Sequence, residues 1–150
     1  MNLTYELSVR AEVAEPLFVG AGPLGMRMVG PVTGGTFEGE RLRGTVLGSG
    51  ADWLLVRPDG WGNIDVRMQL RTDDGAVIYV SYTGLLHITD AVGRALGSDE
   101  STDYADQYWR TTPRLETGDP RYAWVNNTLF VAEGRVGVGR AVEYRVYRIE

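Results

Sequence analysis

The chain has 150 residues, 43% of them hydrophobic, with 20 glycines and a formal net charge of −5, which suits one domain with its own core and excludes a disordered segment. All 15 basic residues are arginine, there is no cysteine, and His87 is the one histidine, so disulfides, thiol nucleophiles, Schiff-base amines, phosphate-loop lysines and multi-histidine metal sites are excluded. The acidic balance argues against nonspecific binding to nucleic acid or anionic membranes, which needs a basic footprint.

In chain order, Leu3, Tyr5, Leu7, Val9, Ala11 and Val13 alternate with polar residues, a half-buried strand that Glu15-Pro16 ends. The start lacks the basic-then-apolar layout of a signal peptide, and no apolar run is long enough to cross a bilayer, which predicts a soluble, cytoplasmic protein. Gly20 to Gly35 is rich in Gly and Pro and reads as a long connecting segment. Thr36 to Leu47 is the second strand and "ADWLLVR" the third, followed by the turn Pro58-Asp59-Gly60. Trp61 to Arg71 alternates again, and Asp73-Asp74-Gly75 turns it back into "AVIYVSYTGLL", the clearest hairpin in the chain. Thr89 to Leu96 is the one helical stretch, with Asp90 as its cap. The acidic segment from Ser98 to Asp106 reads as a solvated, mobile loop, and its carboxylates lack the spacing of a calcium loop. Tyr122 to Ala132 and Ala141 to Ile149 are the last strands. Seven or eight antiparallel strands at hairpin spacing with one short helix predict an all-β fold over residues 1–150, a closed barrel or sandwich.

Gly20-Ala21-Gly22-Pro23-Leu24-Gly25 fits the G-x-G-x-x-G pattern of dinucleotide loops. Such a loop must open a helix whose N-terminal amides face the pyrophosphate. Here Gly30-Pro31 and Gly34-Gly35 follow, which would break a helix within a turn or two. No nucleotide and no other cofactor is expected.

Four blocks, "GPLGMRMVGPVTGGTFEGERLRGTVL", "GADW", "DVRMQLRTDDGAVIYV" and "YWRTTPRLETGDPRYAWVNNTLFV", together resemble the bacterial and fungal family catalogued as domain of unknown function 3237. They occur in that family's order from about Gly20 onward. The resemblance implies a compact antiparallel β-barrel, lipocalin-like or allene-oxide-cyclase-like, that is often a homo-oligomer, and it implies no established reaction. Leu115, Asn127 and Ser49 depart from the family's usual residues.

Small barrels hold ligands in the lumen or at a mouth. Asp65 and Arg67 share parity on their strand: on a luminal face they make a general base with its charge stabiliser, and on an outer face an exposed ion pair. Tyr122, Trp124 and Asn126 share one face of a predicted strand, where they either sandwich a flat ligand or fill the core. Glu38 is a second candidate acid, with a solvated strand end as the alternative. Arg27 and Arg110 are placed to reach over a mouth and bind an anionic group. His87 suits a cap or core role, and no metal site is expected.

The expectation is therefore a barrel that binds a small organic molecule and acts as a cofactor-free lyase or isomerase of cyclase type. In it Asp65 and Glu38 are catalytic, and Arg27, Arg67, Arg110, Tyr122, Trp124 and Asn126 bind substrate. Two alternatives stand beside it: a noncatalytic carrier or sensor of an apolar or aromatic molecule, and an assembly module with a solidly packed lumen.

Overall fold

The computed structural model describes residues 1–150 and contains eleven strands. The alternating N-terminal stretch is β1 (Leu3–Val13), with Leu7, Val9 and Ala11 buried on one face. The Gly/Pro-rich segment is not a connection. It forms β2 (Leu17–Gly22) and β3 (Gly25–Gly39), a hairpin whose longer strand pairs antiparallel with β1. Glycine is what lets that strand pass close to its neighbour: Gly35 has φ +135, and a Cβ there would collide with the carbonyl oxygen of Arg10. The predicted second strand is split at Glu40-Arg41-Leu42 between the end of β3 and β4 (Arg43–Val46).

The remaining strands are β5 (Ala51–Val56), β6 (Trp61–Thr72), β7 (Val77–His87), β8 (Trp109–Thr111), β9 (Arg114–Glu116), β10 (Phe130–Gly137) and β11 (Ala141–Ile149). All pairings are antiparallel, and β1, β3, β5, β6, β7, β8, β10 and β11 close into a ring of eight. Closure leaves no free edge in the wall and gives one buried face per strand. The short strands β4 and β9 lie on the pairing edges of β6 and β7. No helix is long and apolar enough to cross a membrane.

The two ends of the barrel are finished differently. At one end α1 (Asp90–Leu96) packs Val92 and Ala95 into the core. Its cap is Thr89 rather than Asp90, the threonine side chain accepting from the Val92 N–H at 3.2 Å. At the other end Pro120–Asn127 forms a 3-10 segment where a strand was expected. The Asp119 carboxylate accepts from the Arg121 N–H at 2.9 Å and Pro120 occupies the first helical position, so the chain starts a helical turn before the alternation of Tyr122 and Trp124 can express itself. The segment drives Val125 into the core as a plug.

The plug is held by charge. Glu6 is buried and receives two hydrogen bonds from the Arg41 guanidinium, at 2.9 and 2.8 Å, and one from Arg148 at 2.6 Å. The Arg41 guanidinium also lies 3.7 Å from the centre of the Trp124 ring. The acidic loop keeps Asp99, Glu100, Asp103 and Asp106 exposed and is tied to the barrel through Thr102 and Tyr104. Thr102 exchanges hydrogen bonds with Val136, Gln107 donates to the Gly134 carbonyl, and the guanidiniums of Arg135 and Arg145 lie 4.6 and 4.2 Å from the centre of the Tyr104 ring.

Candidate functional site

The parity of β6 decides where chemistry can sit. Ile64, Val66, Met68 and Leu70 are buried, whereas Asp65 and Arg67 are exposed. Asp65 and Arg67 therefore project outward, and the luminal base that the sequence reading placed at Asp65 is not there. They border a shallow outer groove with Tyr79, Ser81 and Arg114.

Inside, the barrel is packed in its plug-side half. Leu7, Val9, Met68, Leu70, Val80, Leu115 and Val146 leave a void of about 20 Å³, room for about one water. The half nearer α1 is open. A cavity of about 130 Å³ is lined by apolar side chains including Ala11, Met28, Val32, Leu54, Val66 and Val142, and by four polar ones: Asp52, Tyr82, Tyr144 and Arg140. Leu96 of α1 and Arg140 are the solvent-exposed members of this lining, so the cavity reaches the surface between the helix and the β10–β11 turn.

Asp52 is the unusual group. It is the one charge in the strand Ala51-Asp52-Trp53-Leu54-Leu55-Val56 and shares its inward face with Leu54. One carboxylate oxygen accepts from the Asp65 backbone N–H at 3.1 Å. Burial pushes its pKa up to about 7; the Asp65 N–H and the Arg27 charge work against this, and the Asp65 carboxylate adds to it. At neutral pH Asp52 is thus divided between acid and base forms, the condition a proton-transfer catalyst needs.

Tyr82 and Tyr144 face each other across the lumen with ring centroids 5.4 Å apart, edge to face. Burial holds both phenols above their ordinary pKa, with the nearby Asp52 charge adding to the effect. They therefore remain protonated donors throughout the range in which Asp52 titrates. Behind them Trp109 packs edge-on against Tyr144 at 5.8 Å, its indole N–H buried without a partner. Gly134 leaves the space the indole occupies, since a Cβ there would lie 2.7 Å from Nε1.

The other predicted residues are dispersed. Glu38 is on the outer surface, 3.8 Å from Arg43. Arg27 donates to the Trp53 carbonyl oxygen at 2.7 Å and reaches the site only through its field on Asp52. Arg110 is exposed, 5.3 Å from the Tyr108 ring centre and 4.0 Å from Glu133. Tyr122 donates to Asp74 at 2.8 Å, Trp124 lies under Arg41, and Asn126 bonds both ways to the Thr117 backbone at 2.9 and 3.0 Å. These last three build the plug, the opposite end from the cavity. No three His, Cys, Asp or Glu side chains converge to hold a metal ion.

Asp52, Tyr82 and Tyr144 were missed by sequence reasoning. The signal for Asp52 was a lone carboxylate in an apolar strand, which must be either satisfied or functional. That for Tyr82 was its even parity with Ile78, Val80 and Leu86.

Comparison with known proteins agrees with this architecture. The family described as "Protein of unknown function (DUF3237)" matches residues 1–149. A UPF0311 protein of Rhodopseudomonas palustris is 34% identical over 142 residues, 95% of this chain and 93% of that protein. Its crystal structure superposes with a TM-score of 0.89 at 32% identity, covering 100% and 99% of the two chains. A beta-barrel like protein of Acinetobacter baumannii superposes at 0.83 with 33% identity, covering 99% and 96%. An enzyme from Penicillium herquei, 16% identical, shares the fold at 0.69 over 97% and 93%. The chain belongs to the DUF3237 family.

Proposed function

We propose that this barrel binds a small organic molecule in its lumen and moves a proton on it, as a lyase or isomerase does, with Asp52 rather than Asp65 as the base. The observation that supports this most is a carboxylate with a pKa raised to about 7, facing an apolar cavity with two protonated phenols beside it. Asp52 as carboxylate takes a proton from a carbon next to a carbonyl, the bonding pair moves into an enolate, and Tyr82 or Tyr144 donates a hydrogen bond to the enolate oxygen. Where the substrate carries a C=C bond β,γ to the carbonyl, the enolate is a dienolate; Asp52, now protonated, returns the proton to its γ-carbon, the double bond moves into conjugation and nothing is consumed.

The test is deuterium incorporation from D2O into small enolisable ketones, followed by NMR with the native protein and with Asp52→Asn. Exchange that depends on Asp52 is expected. A protein that binds such ketones in the lumen and exchanges no proton is a carrier, and the catalytic reading is then wrong.

A further inference from the structure

The polar groups of the cavity are not scattered: three of the four are grouped with one another, and the fourth is at the mouth. Asp52 lies opposite Val66 and Val66 opposite Tyr82 in the strand register, and the Tyr144 ring is 5.4 Å from that of Tyr82, so these three line one part of the cavity. Arg140 belongs to the same lining but is exposed, in the turn between β10 and β11. Met28, Val32, Leu54, Val66 and Val142 line the same cavity.

Two further features of Arg140 matter. Arg10, Arg135 and Arg145 are each within 4 Å of a carboxylate, whereas Arg140, like Arg27, Arg67, Arg71 and Arg114, forms no ion pair and is the one of these five in the cavity lining. It is also the one residue other than glycine with a positive φ, at 56, in a hairpin turn where glycine or asparagine is ordinary. Glycine already occupies the position before it, so the turn tolerates glycine and nonetheless carries an arginine.

Size limits the fragment that enters. An apolar cavity of about 150 Å³ admits a benzene, so about 130 Å³ accepts a head of similar or smaller size. An anionic head is disfavoured next to Asp52, where there is no paired cation and desolvation already opposes one negative charge. A carbonyl suits the two phenol donors. A negative group on the same molecule finds its partner at the rim.

We infer that the ligand class of this lumen is a short oxo acid, inserted carbonyl first, with its carboxylate held by Arg140 at the mouth. This rests on the lumen being the binding site, as proposed above, and adds the polarity and length of what enters it.

The probes are 4-oxopentanoate and its uncharged amide, 4-oxopentanamide, titrated into 15N-labelled protein while the amides of Gly30 and Val142 are followed. The acid is expected to bind roughly fivefold tighter than the amide, the worth of one exposed ion pair. Arg140→Gly relaxes the turn, so it should fold at least as well as the native chain. It should bring the acid down to the amide's affinity and leave the amide unchanged, while Arg140→Lys keeps part of the preference. Equal affinities for the two probes, a preference that survives Arg140→Gly, or absence of lumen shifts with either probe at millimolar concentration overturns the inference. Asp52→Asn separates the two proposals: it should abolish deuterium exchange and keep the acid-over-amide preference. A preference without any exchange in the native protein sinks the catalytic reading alone.

Discussion

The backbone N–H of Asp65 donates to the carboxylate of Asp52 at 3.1 Å, across two neighbouring strands and through the barrel wall. An outward residue thereby touches the inward one. The Asp65 carboxylate raises the Asp52 pKa, so Asp65→Asn, which keeps the backbone donor, should lower it from about 7. A carboxyl-carbon NMR titration of Asp52 checks this, and no downward movement would show that the two charges do not communicate. If Asp52 is the base, deuterium exchange in the native protein rises with pH through about 7 and levels off above it.

The same group sets a pH dependence of stability. Its folded pKa lies above the ordinary aspartate value of 3.8, so the folded state binds more protons between about 4 and about 7, and stability falls as pH rises across that window. The slope is at most about 1.4 kcal/mol per pH unit. Denaturant melts at several pH values should show Asp52→Asn more stable than the native chain at pH 8, with the advantage disappearing below pH 4.

Glu6 behaves in the opposite sense. Burial works against its ionisation, but the hydrogen bonds from Arg41 and Arg148 outweigh burial and leave its pKa lowered. Its contribution is present above the ordinary glutamate range and is lost as pH falls through its depressed pKa. Glu6→Gln should cost about 2 kcal/mol in chemical denaturation, with cavity binding of 4-oxopentanoate unaffected because the plug lies at the other end.

Tyr144→Phe removes a hydroxyl and keeps the ring that packs against Tyr82 and Trp109. Stability should change by less than about 1 kcal/mol, while proton exchange falls by about 10²-fold if this phenol donates to the enolate. Tyr82→Phe tests the other donor; if neither substitution slows exchange, the phenols have no part in the chemistry.

Gly35→Ala should be among the most destabilising single-methyl changes, by about 2 kcal/mol or more, since the position combines φ +135 with a collision against the Arg10 carbonyl oxygen. A thermal melt within a degree of native would show that β1 and β3 separate easily there.

Much of the wall was readable from alternation. Leu3–Val13, Trp61–Thr72 and Val77–His87 announce themselves because burying one face imposes period two. The glycine-rich β2–β3 hairpin was hidden for the reverse reason: where backbones approach closely, the side chains that carry the period are absent. The site was less legible still. The alternation of β6 separates its two faces, but which face points inward depends on ring closure, and the polar face that carries Asp65 and Arg67 lies outside. Tyr122 and Trp124 misled because an aromatic pair looks the same in a ligand wall and in a plug.

The Glu6-centred clamp at one end and the α1 mouth at the other divide labour along the barrel axis. On the reading proposed above, a molecule that entered the lumen would have to leave by the way it came, so a bulky occupant would exclude the next. Substitutions at the rim residues Leu96 and Arg140 would then alter that mouth without disturbing the residues that keep the far end shut.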